Sequence, residues 1–385
     1  MKQHVLLAVW MVTAASSFSN ASAQGSSTGA VEIGQTYTIE SKALQESRTV
    51  HVYVPPGYTS TAARYPVLYV LDGQNYFVPA VGVVRYLAMM DLLPEMLVVG
   101  IPSRDRLKEY TPTKDARSPS GGGIGPFLTF VNDELFPFIE GRYRTLPYRI
   151  LSGHSLGGLC VLYAFVKRPE MFSAYIAISP SVYWDNSVLA RIAEPAPNAS
   201  AGARKAVYSS VEGPNDNLHT RTNAEFARLL NARAGQQLRY RFATLDRETH
   251  TSLWIKSFDD GLRFVSPWYV PEAALNGGLV TIRKYFEAAG YPLSESLLQK
   301  LAEDFYAAGK RKHAIEILEY MIAANPKSAD TYHGLGDYCR EDGQLERALA
   351  AYRKGLEMAQ ASGNRTLVEL FTQHIDEIQK LMAKK

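Results

Sequence analysis

The pattern of hydrophobic and polar positions changes period twice along this chain. Before residue 60, β-type residues at 37–40 and in Thr49-Val50-His51-Val52-Tyr53-Val54 read as extended segments, the second halted by Pro55-Pro56-Gly57-Tyr58. They predict an antiparallel start to a sheet. From Tyr65 onward, short apolar runs at 67–71, 96–101, 148–151, 175–178, 205–211 and 238–243 read as strands. Segments of helical period at 81–93, 127–143, 159–166, 222–232 and 253–264 lie between them. Strands alternating with helices predict a mostly parallel central sheet covered on both faces, an α/β domain over 31–266.

The second change comes at Pro267 and Pro271, which with Gly277-Gly278 mark a linker over 267–292. Beyond it strand character disappears and an internal repeat begins. Leu298, Leu301, Ala302, Phe305, Gly309, Ala314 and Leu318 match Tyr332, Leu335, Gly336, Cys339, Gly343, Ala348 and Tyr352 at a period of 34 residues. That spacing predicts a small all-α, tetratricopeptide-like domain over 293–385, with an amphipathic capping helix at 367–382. Two repeats are few for a free-standing solenoid. The tail is therefore expected to pack on the α/β domain, to self-associate, or to bind a protein partner.

Composition narrows the function classes. A chain of 385 residues, 46% hydrophobic, carries a formal charge of only +3, so neither nucleic acid nor an anionic membrane is called for as a partner. Lys2, an apolar run from Val5 to Val12, and Ala21-Ser22-Ala23 before Gln24 read as a cleaved signal peptide over 1–23, too short in its apolar part to span a bilayer. Export to the periplasm or medium is the expectation, with no membrane span after cleavage. Cys160 and Cys339, far apart and in helical segments, are expected to be buried thiols rather than a bridge.

Chemistry concentrates at Gly153-His154-Ser155-Leu156-Gly157, between an apolar run and a helical segment, the context of a nucleophile elbow. A serine nucleophile needs a base, a group to orient that base, and donors for the oxyanion. In the order Ser, acid, His, the base is expected to be His250, in the loop after the last strand. His219 falls within the loop expected to carry the acid. That loop offers Glu212 and Asp216, with Asp216 slightly preferred because Gly213-Pro214 carries it clear of the strand end. The backbone N–H groups of Leu156 and Gln74 are the expected oxyanion donors, and His154 is expected to shape the pocket. No Cys/His cluster of metal-ligand spacing is read, so neither a metal nor an organic cofactor is expected. Gly121-Gly122-Gly123 follows no strand directly and lacks a Lys-Ser/Thr pair, so it reads as a loop near the site rather than a phosphate cradle. Arg104, Arg106 and Lys108 hint at an anionic substrate, although such charges are commonly a solvated loop.

Five stretches together carry a family resemblance. Leu71-Asp72-Gly73-Gln74-Asn75-Tyr76-Phe77, Tyr110-Thr111-Pro112, Glu134-Leu135-Phe136-Pro137-Phe138-Ile139-Glu140, Gly153-His154-Ser155-Leu156-Gly157-Gly158 and Ile178-Ser179-Pro180-Ser181-Val182-Tyr183-Trp184 resemble the putative-esterase family over roughly 35–265. The Ser-Pro-Ser-x-x-Trp stretch is most similar to the branch acting on enterochelin-type siderophores. The resemblance implies an α/β-hydrolase fold, a serine carboxylic-ester hydrolase acting on a small-molecule ester, and an acyl pocket lined by Ser181 and Trp184. The rival expectation is an inert hydrolase-fold scaffold whose repeat tail recruits a protein partner.

Overall fold

The computed structural model describes residues 30–193, 205–213, 216–232, 238–288 and 291–383; the expected leader at 1–23 lies outside them. Eight strands form one sheet: β1 (Gln35–Ser41), β2 (Glu46–Tyr53), β3 (Tyr65–Leu71), β4 (Leu97–Ile101), β5 (Thr145–His154), β6 (Ala174–Ile178), β7 (Lys205–Gly213) and β8 (Leu238–Asp246). Their spatial order is β1-β2-β4-β3-β5-β6-β7-β8. The β1–β2 and β2–β4 pairs are antiparallel, and every pair from β4 through β8 is parallel. Each strand read from the sequence is present.

The sheet is apolar on both faces because helices cover both. In β5, Leu151 joins one core with Leu159 and Val161, while its neighbour Ile150 joins the opposite core with Val81, Val84 and Phe258. All seven residues of β3 are buried. Such strands read as unbroken apolar runs, as parallel strands covered on both sides do.

The helices in this half are α1 (Gly73–Met89), α2 (Arg106–Tyr110), α3 (Ile124–Thr129), α4 (Phe136–Glu140), α5 (Leu156–Lys167), α6 (Trp184–Ala193), α7 (Leu218–Asn231) and α8 (Trp254–Val265). Two differ from the sequence expectation. Helix α1 begins eight residues before position 81, because Asp72 adopts a left-handed conformation (φ 53°, ψ 44°) that turns β3 straight into the helix, and Pro79 is accommodated inside it. Its polar first turn hides the helical period. The helix expected over 127–143 is helical at 124–140, with a π-helical stretch at Phe130–Leu135 between α3 and α4.

Helices α9 (Glu272–Asn276) and α10 (Gly278–Ala288) lead into α11 (Glu295–Ala307), α12 (Arg311–Ala324), α13 (Ala329–Glu341), α14 (Leu345–Ser362) and α15 (Arg365–Met382). Helices α13 and α14 begin 34 residues after α11 and α12 respectively. Close approach explains the small residues: a Cβ at Gly336 would lie 2.2 Å from the Tyr352 ring. Leu146, with Tyr148 beside it, packs into the core formed by Trp268, Ile282, Phe286, Leu301 and Phe305, so the C-terminal helices rest against the beginning of β5. Cys160 and Cys339 are both buried free thiols.

A buried ion pair ties β2 to α2. Arg48, 1% exposed, donates to both carboxylate oxygens of Glu109 at 2.6 and 3.1 Å and to the Pro102 carbonyl at 2.6 Å. Removing one partner leaves the other charge buried and unpaired. Arg48→Ala is expected to lower unfolding free energy by about 3 kcal/mol in urea titration. Arg104→Ala, which removes a 3.4 Å contact from a side chain 62% exposed, is expected to change it by no more than about 0.5 kcal/mol.

Candidate active site

The centre of the sheet ends in a strained turn. Ser155, between β5 and α5, has φ 59° and ψ −115°, a conformation non-glycine residues rarely adopt. Its N–H donates to the Ile178 carbonyl at 2.9 Å, and its own carbonyl accepts from the Ser181 N–H at 3.0 Å. A Cβ at Gly153 would meet the Gly157 backbone at 2.5 Å, which is why a side chain is excluded there. The Ser155 and Ser181 hydroxyls lie 3.3 Å apart.

Leu156 and Gln74 occupy the first turns of α5 and α1, where backbone N–H groups have no acceptor within the helix. The Gln74 side chain is held away on Ser103, accepting from its N–H at 3.1 Å and approaching its hydroxyl at 3.3 Å. The Gln74 side chain is thus turned to Ser103, while its backbone N–H lies in the first turn of α1.

The turn after β6, the end of β7, the first turn of α7 and the loop after β8 bring four side chains together. The Ser179 hydroxyl lies 2.5 Å from Glu212 Oε2, 2.8 Å from His219 Nε2 and 2.9 Å from His250 Nδ1. Glu212 Oε1 stands 3.7 Å from His250 Nδ1 and 3.8 Å from His219 Nε2, too far for direct hydrogen bonds. A hydroxyl has one proton and two lone pairs. The ionised carboxylate only accepts, so Ser179 donates to Glu212, and both imidazoles must bring their own protons. In the neutral ring, His250 then carries its proton on Nδ1 and leaves Nε2 bare.

Burial pushes the Glu212 carboxyl up, but the Ser179 hydrogen bond, a backbone hydrogen bond and the attraction of His219 and His250 outweigh it, so its pKa is lowered. Burial lowers His219, with Glu212 opposing. A cleft of about 400 Å³ opens over this group, lined by Tyr183, Glu212, Asn217, Leu218, His219 and His250.

The structure sorts the acid candidates. Glu212 is buried beside the imidazole, whereas the slightly preferred Asp216 is 85% exposed and bound to Arg221 at 3.1 Å. The preference is reversed because the strand β7 extends to Gly213, carrying Glu212 to its end and placing Asp216 at the mouth of α7. Ser181 sits against Ser155, but Trp184 is 8% exposed and its indole N–H donates to the Thr113 carbonyl at 3.1 Å, a core contact. Its neighbour Tyr183 faces the cleft instead. Arg106 and Arg104 are committed to Asp72 and Glu46 at 2.8 and 3.4 Å.

His154 supports the loop rather than lining the cleft. Its Nε2 donates to the His250 carbonyl at 2.7 Å, and its Nδ1 accepts from the Tyr76 hydroxyl at 3.0 Å. Tyr76 in turn stacks on Trp254, with centroids 4.8 Å apart. Sequence reasoning missed Ser179, His219 and Tyr76 as members of this group. The available signal for Ser179 was its place in the Ser-Pro-Ser turn immediately after a central strand.

A model of the family described as putative esterase matches residues 41–265. The chain belongs to that family. Ferri-bacillibactin esterase BesA of Bacillus subtilis (strain 168) is 30% identical over 183 residues, 42% of this chain and 63% of the relative. The chain spans between 46% and 63% of the length of the curated relatives it matches. The crystal structure of an IroE-like serine hydrolase from Shewanella oneidensis is similar at a TM-score of 0.61 and 26% identity, over 74% of this chain and 96% of that one. An uncharacterised protein from Capnocytophaga ochracea DSM 7271 shares the fold at a TM-score of 0.60 and 16% identity, over 90% of this chain and 99% of that one. That likeness of fold extends past residue 265.

Burial, then the charge of His250, lowers the His154 pKa to about 4. Its unfolded value is near 6.5. The unfolded chain therefore binds the proton first, and stability falls as pH drops from about 6.5 towards 4. His154→Gln, which retains a donor for the His250 carbonyl, is expected to flatten that part of the stability profile by about 2 to 3 kcal/mol, measured by urea denaturation at pH 7, 5.5 and 4.5.

Proposed function

We propose that this chain is an exported serine carboxylic-ester hydrolase. The observation that carries the reading is the hydroxyl-centred contact between Glu212 and His250 at the strand ends where the Ser155 turn also lies. Ser155 Oγ attacks the ester carbonyl while the bare Nε2 of His250 takes its proton. The imidazolium then forming at His250 is stabilised through Ser179 by the Glu212 carboxylate. The Leu156 and Gln74 N–H groups receive the oxyanion. His250 returns the proton to the leaving alcohol, and water repeats the cycle on the acyl-serine.

Neither a metal nor an organic cofactor takes part in this cycle. The relatives' names favour a siderophore ester as substrate, with a carbohydrate-linked ester as the alternative. The open face with Tyr183 and Leu218 offers apolar surface to the substrate. Export rests on the leader pattern at 1–23. Among the described residues no helix is long and apolar enough to cross a membrane. The 34-residue spacing of α11 to α14 supports tetratricopeptide-like pairs, and their seating on Leu146 and Tyr148 favours a tail that packs on the α/β domain as a buttress.

Hydrolysis of p-nitrophenyl acetate tests the chemistry, and a panel of catecholate siderophores, acetylated sugars and feruloyl esters tests the substrate. Ser155→Ala is expected to lower kcat by at least about 10⁴-fold. Wild-type turnover in that variant removes Ser155 from the chemistry, and no turnover in the native protein returns the chain to the inert-scaffold reading. Ser179→Ala removes a charge-assisted bond worth about 2 kcal/mol, or roughly thirty-fold in kcat/KM. Glu212→Ala is expected to cost more, and Asp216→Ala nothing measurable.

A further inference from the structure

Far along the chain from the cleft residues, two helices of the C-terminal segment converge on a second group of ligand-type side chains. His333 and Asp337 lie one turn apart on α13, and His374 projects from α15; one donor atom from each falls within 4.8 Å of the others. His333 Nε2 and His374 Nδ1 are both buried without a hydrogen-bond partner. Buried imidazole nitrogens are ordinarily paired. Here His333 Nε2 has none and His374 Nδ1 has only the Glu377 carboxylate at 3.5 Å, on rings whose centroids are 5.3 Å apart.

The carboxylate between them is already oriented. Asp337 Oδ1 accepts from the Tyr352 hydroxyl at 2.7 Å and lies 3.4 Å from the Arg340 guanidinium, while Oδ2 faces His333 Nδ1 at 3.4 Å. Tyr352 also stacks on His374 at 5.0 Å. Outer hydrogen bonds of this kind fix one carboxylate oxygen and leave the other for an ion. Glu377 Oε2, 3.5 Å from His374 Nδ1, stands next to the group.

We propose that His333, Asp337 and His374 bind a divalent transition-metal ion that ties α15 to α13. Two imidazoles and one carboxylate suit Zn²⁺ and exclude a preference for Mg²⁺ or Ca²⁺. Bonds of about 2.1 Å require donors about 3.3 Å apart. Modest side-chain rotations close the present spacing, since the His333, Asp337 and His374 side chains are 27%, 25% and 13% exposed. The partial exposure also gives the ion a way in. With the ion bound, Arg340 shifts its pairing to Glu377, 3.7 Å from it already. Among the described residues a second set of similar donors, Glu212, His219 and His250, has the Ser179 hydroxyl at its centre, at 2.5 to 2.9 Å from each residue.

The test uses untagged full-length protein, Zn²⁺ titrated against a chromogenic chelator, and amide hydrogen exchange read across 365–382. Zn²⁺ at ten times its dissociation constant is expected to slow exchange in α15 by roughly tenfold, and Mg²⁺ is expected to leave it unchanged. Zinc held by the cleft residues alone does not protect α15, so that outcome overturns the proposal. His374→Ala and His333→Gln are each expected to weaken this binding by at least about tenfold and to abolish the protection. His333→Gln keeps a polar side chain of similar volume, and native helical content in that variant separates loss of a ligand from loss of folding. Zn²⁺ protection that persists in both variants also overturns the assignment.

Discussion

The backbone of Ser155 is the constraint on which the rest of the site depends. A residue held at positive φ with ψ −115° costs about 1 to 3 kcal/mol. The cost is met by position: the turn joins a strand buried on both faces to a helix buried along most of its length. Hydrogen bonds from Ser155 to Ile178 and from Ser181 back to Ser155 clamp the turn on the neighbouring strand. The same clamp fixes the Ser179-Pro180-Ser181 loop, so the hydroxyl that contacts Glu212, His219 and His250 is located by the strained turn at Ser155.

A single hydroxyl stands between the Glu212 carboxylate and the His250 imidazole, which do not touch directly. Because Ser179 has only one proton to give and an ionised carboxylate beside it, the protonation of two imidazoles follows by counting donors and acceptors. Ser179 itself sits at φ 42°, a second strained residue next to the first. Local strain is concentrated where side chains must be aimed, and the unstrained sheet supports it.

Much of this was legible in the sequence. Strand positions along the chain, the Ser155 turn, His250 in the last loop and the repeat spacing come from periodicity, glycine placement and motif, all of which act locally. The acid did not. Choosing between Glu212 and Asp216 depends on where β7 ends, and boundaries are set by pairing with β8 through Gly213 and Asp246 rather than by local composition. Ser179, Tyr76 and the role of His154 were hidden for the same reason: their partners lie 33 to 96 residues away. Trp184 was misjudged because a motif specifies a neighbourhood, and the left-handed run at Asp185, Asn186 and Ser187 decides which neighbour turns outward.

The strand that ends at the Ser155 turn starts inside the core of the C-terminal helices. Leu146 and Tyr148 occupy that core, and the Tyr148 hydroxyl also donates to the Val265 carbonyl at the end of α8, the helix that follows His250. Tyr148 and Ser155 are separated by about 23 Å along an extended strand. The strand is thus anchored at both ends, like a tensioned string between two pegs, and slippage by one residue would turn every side chain to the wrong face. A chain cut at residue 266 would keep every cleft residue yet expose Leu146 and Tyr148 to water, losing the far peg that keeps the near one in register.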